Sequence, residues 1–431
     1  MCAFRRLALT LLAATCLAVA QAAAPPPSAP ALSLAQAQAR ARANSPDFAA
    51  ALAAQDIAAA QHTQARAALL PSLSYNNSYL YTQGFRFIAN NAVHEYLSQG
   101  NLHEALDFGS FAALRQAQAG QALARAQAEI AARGLAATVA ADYYSLLAAE
   151  HKQATAKGAL ADAQKYLTIS QDRERGGEVA HVDVIQAQIE VEQRQRALTE
   201  ANLAAEQSRL QLAVLLFPNF NQSFTLVDTL NTPPPLPPPD QVAALARRQN
   251  PALAAASASL TQAQSGVGVA RAALLPALTL DYYYGIDAPQ FAARNQAGQP
   301  NLGSAATATL NIPIFDWGAH RATLTAAQAI RRQAASQFSF AQREQQAAVA
   351  GFYAEAQAAQ GELASLLHTR DLAAQSLRLT ALRYQDGEGT ILELVAAQTA
   401  ASDSRNAYDD GLVRYHVALA QLETLTGPLH P

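Results

Sequence analysis

The chain has 431 residues, of which 51% are hydrophobic and only 15% charged, and its formal net charge is −3. Soluble domains carry about 25% charged residues, and a near-neutral balance leaves no electrostatic footprint for nucleic acid. Both cysteines, Cys2 and Cys16, lie at the amino terminus, so no disulfide framework and no cysteine-based metal site is written into the rest of the sequence.

Residues 1–24 read as a secretory signal. Arg5 and Arg6 precede an apolar run from Leu7 to Val19, and small-residue cleavage sites follow at Ala18-Val19-Ala20, Ala20-Gln21-Ala22 and Ala22-Ala23-Ala24. The run is shorter than the ~20 residues a helix needs to cross a bilayer. Cys16 offers an alternative reading as a lipid-attachment point, although Ala13 and Thr15 depart from the residues that usually precede an acylated cysteine. Loss of Arg5 and Arg6 with the signal leaves 28 basic against 33 acidic residues, a net charge of −5. Pro25 to Pro30 reads as an extended leader or a disordered tail.

The rest of the chain is one unit written twice. Ala65-Arg66-Ala67-Ala68-Leu69-Leu70-Pro71 recurs as Ala270-Arg271-Ala272-Ala273-Leu274-Leu275-Pro276 at an offset of 205, which also carries Pro46 onto Pro251. Leu106-Asp107-Phe108-Gly109 aligns with Phe315-Asp316-Trp317-Gly318 at 209. Gly177, Asp183, Gln188 and Pro218 align with Gly387, Glu393, Gln398 and Pro428 at 210. The expected units are 25–232 and 240–431, joined by the proline run 233–239, a stiff external strap.

Each unit reads as helix, strand pair, very long helix, turn, helix. After Pro71, Leu73, Tyr75, Tyr79 and Tyr81 alternate with Ser72, Ser74, Asn76, Ser78 and Thr82. After Pro276, Leu278, Leu280, Tyr282 and Tyr284 alternate with Thr279, Asp281 and Tyr283. A strand over 301–311 alternates likewise, whereas the second strand, 95–107, is poorly patterned. This period of two, apolar and aromatic on one face, is the mark of transmembrane β-strands. No later stretch is apolar enough for a transmembrane helix, so a membrane location requires strands. Four strands cannot close a barrel and a bilayer does not tolerate open sheet edges, so several chains must contribute.

From Phe111 to about Asp172, and from Ala319 to Asp386, proline is absent and alanine, leucine, glutamine and arginine dominate. Each segment predicts a rod of roughly 90 Å that needs partner helices along its length. Gly266-Val267-Gly268 inside helical sequence reads as a helix irregularity, not a dinucleotide fingerprint.

With these elements in place, the sequence resembles the TolC family of outer-membrane efflux proteins over nearly all of the mature chain. The resemblance rests on the doubled organisation, on Leu310-Asn311-Ile312-Pro313-Ile314-Phe315-Asp316-Trp317-Gly318, similar to that family's strand-to-helix junction, and on Arg383-Tyr384-Gln385-Asp386-Gly387-Glu388-Gly389-Thr390-Ile391-Leu392-Glu393-Leu394, similar to its periplasmic helix turn. It implies a homotrimer with a twelve-stranded outer-membrane barrel, a long periplasmic helical tunnel, a periplasmic adaptor and an inner-membrane pump. The first copy departs at the junction, with Glu104 opposite Pro313 and Leu106 opposite Phe315.

The resemblance places a tip at 173–181 and 383–390, with Arg173, Gly177, Val179, Arg383, Gly387 and Thr390 as adaptor-docking candidates. It makes Glu393 and its counterpart Asp183 candidates for a pore constriction, where a ring of carboxylates favours cations. Ala396 and Gln186 stand one turn further on, so the ring is less acidic than the family pattern. Nine histidines form no metal-spaced cluster and no Gly-x-Ser-x-Gly motif occurs, so no cofactor, metal or catalytic role is expected. A periplasmic scaffold of long helices is the alternative, and an envelope enzyme a third. Met1 is the only methionine, so a methionine-lined copper path is absent.

Overall fold

The computed structural model describes residues 31–82 and 94–429. The expected signal, Cys16, the 25–30 leader and the loop joining the first strand pair lie outside the described residues.

In chain order the elements are β1 (Ala31–Leu32), α1 (Leu34–Asn44), α2 (Pro46–Ala67), β2 (Ser72–Tyr81), β3 (His94–Leu106), α3 (Phe108–Arg175), α4 (His181–Leu216) and β4 (Thr225–Leu226). Then come α5 (Pro239–Gln249), α6 (Pro251–Ala272), β5 (Ala277–Ala288), β6 (Leu302–Asn311), α7 (Ala319–Gln385) and α8 (Ile391–Thr426). The helices recur in matched lengths: 11 and 11 residues, 22 and 22, 68 and 67, 36 and 36.

The single leading helix expected in each unit is two helices. Proline disfavours helical geometry in the residue before it, and Ser45 and Asn250 are accordingly extended. Each then caps the helix that its proline opens. Ser45 accepts from the Phe48 amide at 3.2 Å, and Asn250 from the amides of Ala252 and Leu253 at 2.8 and 3.1 Å. The long helix α3 likewise starts three residues before the expected Phe111. Asp107 caps it, accepting from the Ser110 amide at 2.8 Å. At 1.5 Å per residue α3 is about 100 Å long.

Gly266 and Gly268 cause no irregularity, because α6 runs unbroken through them. A Cβ on Gly266 would meet the Gln116 amide nitrogen at 3.3 Å, and one on Gly268 the Ala112 methyl at 3.4 Å. These glycines let α6 lie directly against α3, the close approach that alanine-rich helices favour.

The core gathers near the middle of the long helices, where Val139, Tyr143, Leu146 and Leu147 of α3 pack with Leu212 and Leu216 of α4, Leu412 of α8 and Leu32 of β1. The connector between α4 and α5 crosses this region as a strap. β4 pairs in parallel with β1, a ladder the sequence did not suggest. Beyond it the strap offers carbonyls to ring donors: Val227 to the Tyr143 hydroxyl (2.6 Å), Leu230 to His416 Nε2 (3.1 Å), Pro234 to the Tyr415 hydroxyl (2.8 Å) and Pro237 to the Tyr353 hydroxyl (3.2 Å). Prolines have no amide hydrogen, so acceptors are what this segment can supply. Asp228 adds a side-chain tie to His151 at 2.8 Å.

The strands form one antiparallel sheet in the order β2-β3-β5-β6. The poorly patterned β3 is paired along its whole length, with Leu102 opposite both Leu73 and Tyr282. Register therefore gathers Leu73, Tyr75, Leu102, Leu280, Tyr282, Ala308 and Leu310 on one face. Ser72, Ser74, Asn101, His103, Asp281, Thr307 and Thr309 share the other. On that polar face His103 Nδ1 lies 2.7 Å from Asp281. β2 and β6 each pair on one side only, so the sheet does not close within the chain.

Candidate functional site

Both hairpin tips turn the same way. Gly177 (φ 77°) and Gly387 (φ 84°) adopt the left-handed conformation that side chains resist, and the following amides close the turn. Glu178 N donates to the Arg173 carbonyl at 2.9 Å, and Glu388 N to the Arg383 carbonyl at 2.8 Å.

The two turns differ in how their second helix starts. Thr390 caps α8 in a capping box with Glu393: the Glu393 amide donates to the threonine hydroxyl at 3.2 Å, and the Glu393 carboxylate accepts from the Thr390 amide at 3.5 Å. Glu393 also stands 3.8 Å from Arg383 and remains exposed. Its counterpart Asp183 occupies the same third position of α4, but the cap there is Ala180, which has no side-chain bond to give. Asp183 is half-buried beside the half-buried Val179 turn. The structure thus puts both acids just inside the tip, one tied into its helix start and the other free of any capping partner.

Arg173 is directed at its own chain. Its guanidinium donates to the Tyr384 carbonyl at 3.1 Å, sits 5.5 Å from the Tyr384 ring centroid and contacts Glu178 at 3.3 Å. A Cβ on Gly387 would come within 3.2 Å of it, so a side chain there would push the guanidinium slightly aside in addition to straining the turn. Arg383, the equivalent residue of the second turn, is exposed. Sequence reasoning missed Tyr384, which is 2% exposed although it stands inside the turn motif. Its hydroxyl donates to Ser170 at 2.6 Å, and Ser170 in turn donates to the Tyr166 carbonyl at 2.9 Å.

At the other end of α7 the junction residues form a protruding knuckle. Asp316 accepts from the amides of Gly318 (3.0 Å) and His320 (2.6 Å), pinning a turn in which Trp317 (φ 56°) and Gly318 (φ 88°) are both left-handed. For a bulky residue this conformation is costly. It holds Trp317 out from the protein, 90% exposed, with Phe315 against it edge to face at 4.9 Å. Pro313 ends the ladder just after β6.

Halfway along, His151 lies between Asp409 (3.5 Å) and Asp228 (2.8 Å). These hydrogen bonds, Asp409's foremost, push its pKa up to about 9. Burial acts the other way on His416, which stacks on Tyr144 at 3.8 Å and is held below the usual histidine range. Among the described residues no group of three potential metal ligands occurs, and no helix is long and apolar enough to cross a membrane.

A chain with one four-stranded sheet set on helices about 100 Å long has the fold of known outer-membrane channels. It superposes on the Campylobacter jejuni CmeC outer membrane channel with a TM-score of 0.77 at 18% identity, covering 91% of this chain and 85% of that one. The outer membrane protein VceC from Vibrio cholerae gives a TM-score of 0.76 at 20% identity, covering 91% and 96%. In sequence the chain is 27% identical to outer membrane protein OprJ of Pseudomonas aeruginosa over 73% of its length and 66% of OprJ's. It is 29% identical to protein CyaE of Bordetella pertussis over 73% and 65%. It therefore spans slightly under two thirds of the length of these curated relatives. The profile of the outer membrane efflux protein family matches residues 38–216 and 242–428, and the chain belongs to that family.

Proposed function

We propose that three copies of this chain form an outer-membrane channel of an efflux or export system, each contributing four strands to a twelve-stranded barrel. The long helices continue it as a tunnel into the periplasm of a Gram-negative cell. The observation that carries this reading is the sheet itself. It has an apolar and aromatic face, a polar face, and two edges, β2 and β6, that only further strands can satisfy in a bilayer. The polar face with His103 and Asp281 lines the lumen, and the exposed Phe315 and Trp317 rest at the membrane boundary.

The channel is passive and performs no catalysis. Cargo reaches it from a periplasmic adaptor and an inner-membrane pump; outward transport is supported by the match to the outer membrane efflux protein family and by the name of one relative, the pyoverdine export outer membrane protein OpmQ of Pseudomonas putida. The two units, 25–232 and 240–431, are copies of one ancestral half joined by the strap. The tip is the docking end, with Gly177, Arg383, Gly387 and Thr390 exposed there and Val179 half-buried, and Glu393 with Asp183 forms the acidic constriction. Extraction and conductance test the reading together. An intact channel needs detergent for release, runs as a trimer and conducts ions across a planar bilayer. Release by alkaline carbonate without detergent would establish the periplasmic scaffold instead.

A further inference from the structure

On the apolar face of the sheet, among the described strand residues, Glu104 is the only Asp, Glu, Lys or Arg. Its neighbour across the ladder is Leu280, and on the other side it lies just beyond the last β2–β3 pair, Ser72 with His103. Glu104 is partly exposed, and its Oε2 atom, which is covered, has no hydrogen-bond partner among the described residues. Beside it runs a groove of about 360 Å³, bordered mainly by Pro71, Leu102, Leu280, Tyr282, Ala306 and Ala308, and also by Asp281 and Thr307. Small alanines on β6 form its shallow side and Tyr282 a taller wall. The groove runs from β3 across β5 to β6, with Pro71 just ahead of β2 at its other end.

A carboxylate facing hydrocarbon is costly unless it finds a partner. β3 ends at Leu106, only two residues beyond Glu104, which puts the carboxylate about 7 Å along the strand from the helical side of the membrane. That is the depth of phospholipid headgroups. We infer that the groove and Glu104 form a phospholipid site: an acyl chain lies along the alanine side, and a primary ammonium headgroup binds the carboxylate. A primary ammonium offers three N–H donors to an oxygen pair, a quaternary ammonium offers none, and an anionic headgroup repels it. The second unit has Pro313 at the matching sequence position, so each chain carries one site. The inference rests on the channel reading, in which this face meets lipid.

Native mass spectrometry of the purified assembly, incubated with equimolar phosphatidylethanolamine, phosphatidylcholine and phosphatidylglycerol, reads the headgroup preference. Phosphatidylethanolamine should be retained about fivefold over the other two, the effect of one favourable ion pair. Glu104→Gln should bring all three to parity, and Ala308→Phe, which fills the groove but keeps the carboxylate, should lower retention of every lipid there. Equal retention by the native protein, or an undiminished preference in Glu104→Gln, overturns the site. Trp317 is the chain's single tryptophan. Quenching of its fluorescence by phospholipids brominated in the acyl chain therefore tests the membrane reading separately. Quenching without headgroup preference removes only the lipid site, whereas no quenching removes the reading beneath it.

Discussion

The guanidinium of Arg173, in the last turn of α3, covers the ring of Tyr384 at 5.5 Å and donates to that residue's carbonyl at 3.1 Å, in the last turn of α7. Two hairpins separated by more than 200 residues of sequence are thereby fastened at their ends. The bond between the Tyr384 hydroxyl and Ser170 makes a second fastening within the same buried cluster. Spreading the hairpins exposes Tyr384 and strands a guanidinium, so these contacts favour the fastened arrangement of the two hairpins within the chain.

Arg173→Ala and Tyr384→Ala should each loosen the tip by about 1–2 kcal/mol. Because both remove the same contact, the double variant should cost less than the sum of the singles. Single-channel conductance in planar bilayers checks this: each single raises it, and the double adds little more. Additive increases would show that the pair does not act as a unit.

The two helix starts at the tip predict opposite responses. Thr390→Ala removes the cap of α8 and should destabilise that helix start by about 1 kcal/mol, whereas Ala180→Thr supplies α4 with the cap it lacks and should stabilise it by a similar amount. Hydrogen exchange of the amides in the first turns of α8 and α4 reads both. If Thr390→Ala leaves exchange in α8 unchanged, the capping box contributes nothing there.

His151 gives the middle of the molecule a defined pH response. Its pKa in the fold is about 9 against an ordinary value of 6.5, so folding favours the protonated ring. That contribution is complete below about pH 6.5 and disappears as pH rises towards 9. Thermal unfolding followed by circular dichroism should therefore show a midpoint falling across that interval, and a flatter profile in His151→Gln. His416 has the reverse sign, because burial lowers its pKa and the fold favours the neutral ring. Acidification below pH 6.5 should destabilise the native protein, and less so in His416→Asn, whose amide can still donate to the Leu230 carbonyl.

Tyr143 lies beneath two chain segments, its hydroxyl 2.6 Å from the Val227 carbonyl and 3.1 Å from that of Leu32. Tyr143→Phe should cost about 1–2 kcal/mol, since it leaves the Val227 carbonyl without its donor while the Leu32 carbonyl keeps the Val227 amide at 3.0 Å. Limited proteolysis within 217–238 should accelerate in that variant, while an unchanged cleavage rate would mean that β1 and β4 hold the strap unaided.

Much of the architecture is legible in the sequence because it rests on short-range rules applied twice. Pro71 and Pro276 announce the strands, the absence of proline from α3 and α7 announces their length, and Gly177 and Gly387 announce the turns. What stays hidden depends on which distant residues meet. Arg173 looks like any exposed tip cation until α7 is laid beside α3. The β1–β4 ladder is two residues long, too short for periodicity to register. Pro46 and Pro251 match across the repeat, yet the break they impose falls on the residue before each, where composition gives no sign of it. Glu104 stands out only as a departure from the second copy, and the register of β3 is needed to put it on the apolar face.

The strap has a consequence for how the sequence can vary. Apart from the Asp228 side chain, the ties described above run through backbone carbonyls, which every amino acid possesses, while the donors are particular rings at 143, 353, 415 and 416. Mutational tolerance should therefore be lopsided. Between 231 and 238 most replacements that keep an extended backbone will be silent, except at Leu236, which packs against the helices beneath. A screen of all single substitutions would instead find its intolerant positions mainly on the helices underneath and at the buried Leu230 of the strap.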